Sequence, residues 1–167
     1  MLIAILSDTH DHVANTQLAV DKAMAMGAET LFFCGDFCAP GAGIALTEFK
    51  GPMHLIFGNN DGDKWNIITV VQKIRPDAIF YREDQALFEI DSLKVALTHY
   101  PLYGRALART GDYDVVCFGH NHIASIETYG ACVAINPGCL NPVRAGSDVS
   151  FALFDTATKV ATLVSLG

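Results

Sequence analysis

The stretch LIAILSDTH, residues 2–10, joins a short apolar run to an abrupt polar end. Leu2 to Leu6 reads as a buried strand, closed by loop residues that carry a carboxylate and an imidazole. No basic segment precedes it and it runs straight into Asp8 and His10, so it is read as a first strand rather than a leader peptide.

The pattern repeats outward from there. A helix is expected over 13–26, burying Leu18, Val20, Ala23 and Met24, with Gly27 as its stop. A strand over 30–34 ends in Gly35-Asp36, and a short helix is expected over 44–49. A third strand over 53–57 ends in Gly58-Asn59-Asn60-Asp61, followed by a helix over 64–74 that stops before Pro76. This β-α-β-α-β order implies parallel strands with crossover helices.

The second half changes character. Strands over 79–81, 86–90 and 94–98 come at short spacing, with a tight turn at Asp91-Ser92. A short helix over 103–109 precedes a buried strand over 115–118, and strands over 123–128, 132–135, 150–154 and 160–164 complete the chain. Two sheets packed face to face with helices outside account for the mixture. The 167 residues, without repeat or linker, read as one domain spanning 1–167.

Composition narrows the function classes. With 51% hydrophobic and 17% charged residues the chain is too apolar for disorder. A net charge of −7 argues against bulk nucleic-acid binding but not against a small phosphorylated substrate, since a metal site supplies its own positive charge. No run reaches the roughly 18 apolar residues of a membrane span, so a soluble protein without membrane partner is expected. The five cysteines, Cys34, Cys38, Cys117, Cys132 and Cys139, sit largely in apolar runs and form no paired metal spacing. They read as reduced, structural thiols of a cytoplasmic protein.

The chemistry lies in the polar residues at the strand ends. Asp8-Thr9-His10, Gly35-Asp36, Gly58-Asn59, His99 and Gly119-His120-Asn121-His122 stand after five separate strands. Ligand sites in such folds lie outside the carboxyl ends of strands. Any one histidine alone is more often structural, and Asp36 or Asn59 alone could serve a cap or a turn. The ordered set is not explained that way. Imidazole nitrogen with carboxylate and amide oxygen suits Mn, Fe, Zn, Ni or Co, and seven such groups meet the needs of two ions with open positions.

In type and order this set resembles the signature of the calcineurin-like metallophosphoesterases, especially the small bacterial and archaeal phosphodiesterases; Asn136-Pro137-Gly138 with Arg144 is similar to the tail of that subgroup. The resemblance implies an α/β (α+β) fold: a four-layer α-β-β-α sandwich of two mixed β-sheets flanked by helices. It implies that Asp8, His10, Asp36 and His122 hold one divalent ion, and that Asp36 bridges to a second held by Asn59, His99 and His120. Manganese is the first choice of metal, with Fe, Ni, Zn and Co open. A water activated between the ions would hydrolyse a phosphate ester, with activity falling below about pH 6 as the histidines protonate.

Two positions depart from the family pattern. Asn60 stands where a histidine commonly assists the leaving group, and an amide cannot deliver a proton. Good leaving groups are therefore expected to be favoured, with His12 and Asp61 as candidate substitutes for the acid. Tyr100-Pro101 comes after His99 where relatives often continue with Gly and His, so Tyr100 either shapes the pocket or packs on a neighbouring loop. Arg144 is a candidate contact to substrate phosphate, and His54, inside an apolar run, reads as structural.

Phosphodiesters, phosphomonoesters and nucleotide-derived esters all remain open as substrates, with diesters first, and a homodimer is compatible with the apolar composition. Two rivals stand beside the hydrolase. A scaffold of the same fold serves protein interaction in the retromer complex, but a scaffold is free to lose ligands and this chain retains all seven. A mononuclear Fe(II) oxygenase would use two histidines and one carboxylate and leave Asp36, Asn59 and the other histidines without purpose.

Overall fold

The computed structural model describes residues 1–81, 84–145 and 148–167. Its elements in chain order are β1 (Leu2–Leu6), α1 (Val13–Ala25), β2 (Thr30–Phe33), α2 (Pro40–Leu46), β3 (Met53–Leu55), α3 (Lys64–Ile74), β4 (Ile79–Phe80), β5 (Gln85–Ile90) and β6 (Leu93–Thr98). After these come α4 (Pro101–Thr110), β7 (Val115–Cys117), β8 (Ser125–Tyr129), β9 (Cys132–Asn136), α5 (Pro142–Ala145), β10 (Ser150–Asp155) and β11 (Val160–Ser165).

One sheet runs β11-β10-β1-β2-β3-β4, the other β5-β6-β7-β9-β8. Both are mixed. β1 to β4 are mutually parallel, with β10 antiparallel against β1. β6, β7 and β9 are parallel, with β5 and β8 antiparallel at the edges.

Alternation along β1 sets the layers. Ile3 and Ile5 join Phe32, Cys34 and Ile56 in the core between the sheets, facing Val95, Leu97, Val115, Cys117 and Ile135. Ala4 and Leu6 point the other way, with Leu31, Phe33 and Leu55, onto Ala19, Val20, Leu46, Ile67 and Val71 of α1, α2 and α3. On the outer face of the second sheet, Ala96, Val116 and Ala134 pack against Ala108 of α4. Four layers result, each large apolar side chain contributing about 1.5–3 kcal/mol by burial. The expected sandwich of two mixed sheets and flanking helices is the one observed.

The parallel strands explain where the polar residues gather. In each sheet they deliver their carboxyl ends to one edge, and the two edges meet. Asp8 N–H donates to the Gly35 carbonyl at 2.9 Å within the first sheet, while Gly119 N–H donates to the His99 carbonyl at 3.0 Å within the second. His99 Nδ1 then crosses between them to the Cys34 carbonyl at 2.8 Å.

Several local expectations need correction. Leu18 is 47% exposed; α1 buries Thr16, Ala19, Val20 and Ala23, a narrow stripe of small residues that allows close packing on the sheet. α2 begins at Pro40 rather than at residue 44, because proline fits the first turn and the Asp11 carboxylate accepts the Ala42 N–H at 3.1 Å from another loop. The strand expected from residue 123 starts at Ser125, leaving Ile123 63% exposed. The four-residue α5 has no counterpart among the expected elements. The tight turn at Asp91-Ser92 is present, with φ of 51° and 63°, the left-handed pair that a two-residue hairpin requires.

Candidate metal centre

The loops after β1, β2 and β7 leave their strands in an uncommon backbone conformation. Asp8, His10, Asp36, His120 and His122 all adopt positive φ, between 42° and 73°. Each such residue other than glycine carries a conformational cost, and clustering of that cost marks a functional site. The surroundings hold the loops there: His10 N–H donates to the Asp36 carbonyl at 3.1 Å, and His120 N–H to Asp8 Oδ2 at 2.9 Å. Gly119 permits the last approach, since a Cβ there would stand 2.3 Å from Asp8 Oδ2 and 2.0 Å from Ser7 Oγ.

The seven residues singled out in the sequence form one connected cluster. His10 Nε2 and His122 Nε2 face each other at 3.0 Å, and they lie 3.8 and 3.4 Å from Asp8 Oδ1. Asp36 stands in the middle, with Oδ2 3.7 Å from His10 Nε2 and Oδ1 3.5 Å from His99 Nε2. Asn59 Oδ1 lies 2.9 Å from His99 Nε2 and 2.8 Å from His120 Nδ1. Asp8, Asp36 and His99 are almost wholly buried.

The direction of the hydrogens tests whether a cation fits. A carbonyl only accepts, so the ring nitrogen facing it carries the hydrogen. His99 Nδ1 faces the Cys34 carbonyl at 2.8 Å and His122 Nδ1 the Arg144 carbonyl at 3.1 Å. In the neutral rings both Nε2 atoms are then bare lone pairs. His99 Nε2 faces Asn59 Oδ1 and Asp36 Oδ1, and His122 Nε2 faces Asp8 Oδ1 and the His10 ring, so acceptor oxygens stand before both lone pairs. Asp8 Oδ1 is buried with no hydrogen-bond partner among the described residues. Acceptors converging on acceptors, with their donors turned outward, are stabilised by cations, so the donor set fits divalent ions.

Titration reflects the same environment. Burial lowers the pKa of His10, opposed by Asp36 and Asp8, which favours the neutral ring a ligand must present. The Asp8 carboxylate raises that of His122, with burial opposing. Cys139 also lies near, its sulfur grouped with the ring nitrogens of His10 and His122 within 4.8 Å. Its Sγ donates to the Asp8 carbonyl at 3.0 Å, and burial pushes its pKa up to about 12, so it remains a thiol. Cys38 Sγ sits 3.2 Å from His10 Nδ1, a contact that cysteine composition gave no reason to expect.

The remaining candidates divide. Asn60 donates twice to Asp36, from its backbone N–H to Oδ1 at 2.9 Å and from Nδ2 to Oδ2 at 2.7 Å. Asp61 accepts the N–H groups of Gly58, Asp36 and Cys38 at 2.6–3.0 Å, fastening two ligand loops together. Burial raises its pKa while those bonds act in the opposite sense. His12 caps α1, its Nδ1 accepting the Asn15 N–H at 3.2 Å, and among the described residues it makes no hydrogen bond to the cluster. Arg144 presents its carbonyl to His122, and its charge lowers the pKa of both His10 and His122. Tyr100 stands edge-on to His99 and His120, with ring centroids 5.2 and 5.0 Å away. His54 is structural, stacked on Phe88 at 4.5 Å.

A sandwich of two mixed sheets with this cluster on its seam defines a class. The family profile described as the calcineurin-like phosphoesterase superfamily domain matches residues 1–159. The chain belongs to that superfamily of metal-dependent phosphoester hydrolases. A phosphodiesterase of Methanocaldococcus jannaschii is 32% identical over 140 residues, which covers 83% of each chain. Phosphodiesterase YfcE of Escherichia coli is 25% identical over 169 residues, 93% of this chain and 88% of its own. A solved archaeal phosphodiesterase superposes with a TM-score of 0.88 at 29% identity, over 99% of both chains. Vps29 of Entamoeba histolytica, solved with zinc, shares the fold at a TM-score of 0.66 and 17% identity over the whole of both chains. Among the described residues no helix is long and apolar enough to cross a membrane.

Proposed function

We propose that the chain is a phosphodiesterase that works with two divalent ions, manganese by first choice. The observation that carries this reading is the set of inward-facing acceptors, including the orphaned Asp8 Oδ1. Asp8, His10, Asp36 and His122 would hold one ion, and Asp36, Asn59, His99 and His120 the other. The position of Asp36, one oxygen toward His10 and the other toward His99, supports a bridging role. When bound, such ions lower the pKa of water and draw off phosphoryl charge.

The protein's own groups do the rest. The Cys34 and Arg144 carbonyls fix the tautomers of His99 and His122. Asn60 holds both oxygens of Asp36 in place. With its amide engaged there, and Asp61 tied up by backbone N–H groups, the chain is poorly supplied with an acid for the departing group. Esters of acidic alcohols, aryl esters among them, are therefore favoured. Arg144, whose positive charge lowers the pKa of both His10 and His122, would attract the substrate's phosphate. The five cysteines stand as free thiols, in keeping with a reducing cytoplasm. The protein-interaction scaffold is the weaker reading, because relatives at 25–32% identity over most of the chain are phosphodiesterases.

The test is hydrolysis of bis-p-nitrophenyl phosphate and p-nitrophenyl phosphate by metal-stripped protein reloaded with Mn²⁺, with bound metal counted per chain. Two ions per chain, turnover favouring the diester, and its loss in Asp36→Ala and His99→Ala are expected. One ion per chain, or turnover that survives either substitution, overturns the reading.

A further inference from the structure

Beside the metal centre the first turn of α4 opens a cavity of about 230 Å³, lined by Tyr100, Pro101, Leu102, Tyr103 and His120. We propose that it is a subsite for one planar aromatic substituent of the phosphate ester, with Tyr100 as the residue that sets specificity. The inference rests on the phosphoesterase reading and adds the class of ester.

Four observations converge on it. His120 belongs to both places, forming one wall of the cavity while its Nδ1 lies 2.8 Å from Asn59 Oδ1. A group in the cavity therefore sits next to whatever the cluster holds. The lining is aromatic and aliphatic, with no carboxylate, lysine or arginine among the described residues, which suits an uncharged ring. The volume falls below the roughly 300–1,000 Å³ of a pocket for an entire ligand, and matches one ring system instead. Finally, Leu102 is 75% exposed, an apolar surface that a bound ring would cover.

The walls are also held in place. Tyr100 meets His99, His120 and Tyr103 edge-on, at centroid distances of 5.0–5.7 Å. Behind it Gly104 lets α4 lie directly on Phe118, where a Cβ would come within 2.5 Å of the ring. A pocket set before binding spends less ordering entropy on its ligand.

The test uses binding rather than turnover. Phenylphosphonate and methylphosphonate, neither of them an ester, are titrated calorimetrically into Mn²⁺-loaded protein. Phenylphosphonate is expected to bind about tenfold more tightly, the order that one ring stacking on an aromatic side chain supplies. In Tyr100→Ala that ratio falls toward one, Tyr103→Ala lowers it in part, and Tyr100→Phe retains it. Thymidine 5′-phosphate, its ring a sugar away from phosphorus, separates the sources of the ring. Its affinity falls with Tyr100→Ala if the subsite takes a nucleobase, and holds if the ring is esterified directly. Equal binding of the two phosphonates by the wild type, or a ratio that survives in Tyr100→Ala, overturns the proposal and leaves the phosphoesterase reading standing. Failure of both phosphonates to bind loaded protein removes the two together.

Discussion

Asn60 stands where the family resemblance leads one to expect a leaving-group histidine, and its contacts suit it to different work. Its Nδ2 lies 2.7 Å from Asp36 Oδ2, and Asp36 is 1% exposed. Truncation to alanine keeps the backbone bond to Oδ1 and removes the side-chain one. A hydrogen bond to a charged group is worth about 1.5–3 kcal/mol, and bulk water has little access to replace it here. At about 1.4 kcal/mol per factor of ten, Asn60→Ala should weaken metal affinity roughly ten- to hundredfold. Competition of the apoprotein against a chelating dye measures that affinity directly. At saturating metal, the dependence of kcat/KM on leaving-group pKa across aryl diesters should keep the slope of the wild type. A folded Asn60→Ala protein with metal affinity within twofold of wild type and a steeper leaving-group slope would refute the reasoning. It would return Asn60 to the departing oxygen.

Asp61→Ala strands two buried N–H groups and a part-buried third, and should cost about 3 kcal/mol or more, lowering Tm by roughly 6–12 °C in thermal melts. An unchanged Tm with lost activity would make Asp61 an acid rather than a fastener. Gly119→Ala drives a methyl into Asp8 Oδ2 and Ser7 Oγ; overpacking of about 1–3 kcal/mol and weaker metal binding should appear together in melts with and without Mn²⁺. His54 has its pKa lowered by burial, so below its ordinary value of 6.5 the unfolded chain takes up the proton first. Its contribution to stability is complete above pH 6.5 and is lost as pH falls toward the lowered value. Denaturant titrations of His54→Phe should show a shallower decline than wild type through that window.

Much of this was legible because the signals were local. An apolar run such as Leu31-Phe32-Phe33 can only be buried, and the Gly35-Asp36 beyond it can only be loop, so the strand ends and their ligands declared themselves together. The failures lie where a residue's role is set by a distant partner. Nothing near Pro40 reveals that Asp11 would cap α2, since that bond spans 31 residues. Asn59, Asn60 and Asp61 are three similar polar residues in a row, yet one joins two imidazoles, one holds Asp36 and one ties loops. His12 looked available for proton transfer until α1 claimed it as a cap. Leu18 misled for another reason: the face that α1 buries is made of smaller residues than the one it exposes.

The pairing of β1 with β10 joins Leu2 to Asp155, and the loop carrying Asp8 and His10 is closed by late residues too. Leu140 N–H bonds to the Asp8 carbonyl at 3.2 Å, and the Asn141 side chain reaches the His10 carbonyl at 3.4 Å. During synthesis the loop of Asp8 and His10 therefore gains its first bonds from residues 35–37 and its last ones only when residues 140 and 141 follow more than a hundred residues later. A nascent chain carries imidazoles and carboxylates without the geometry to retain a cation, and its β1 offers an open edge for mispairing until β10 arrives. On the proposed reading, tight metal capture would be tied to the arrival of the Leu140–Asn141 segment and β10, and a chain interrupted before them would neither bind ions tightly nor hydrolyse esters.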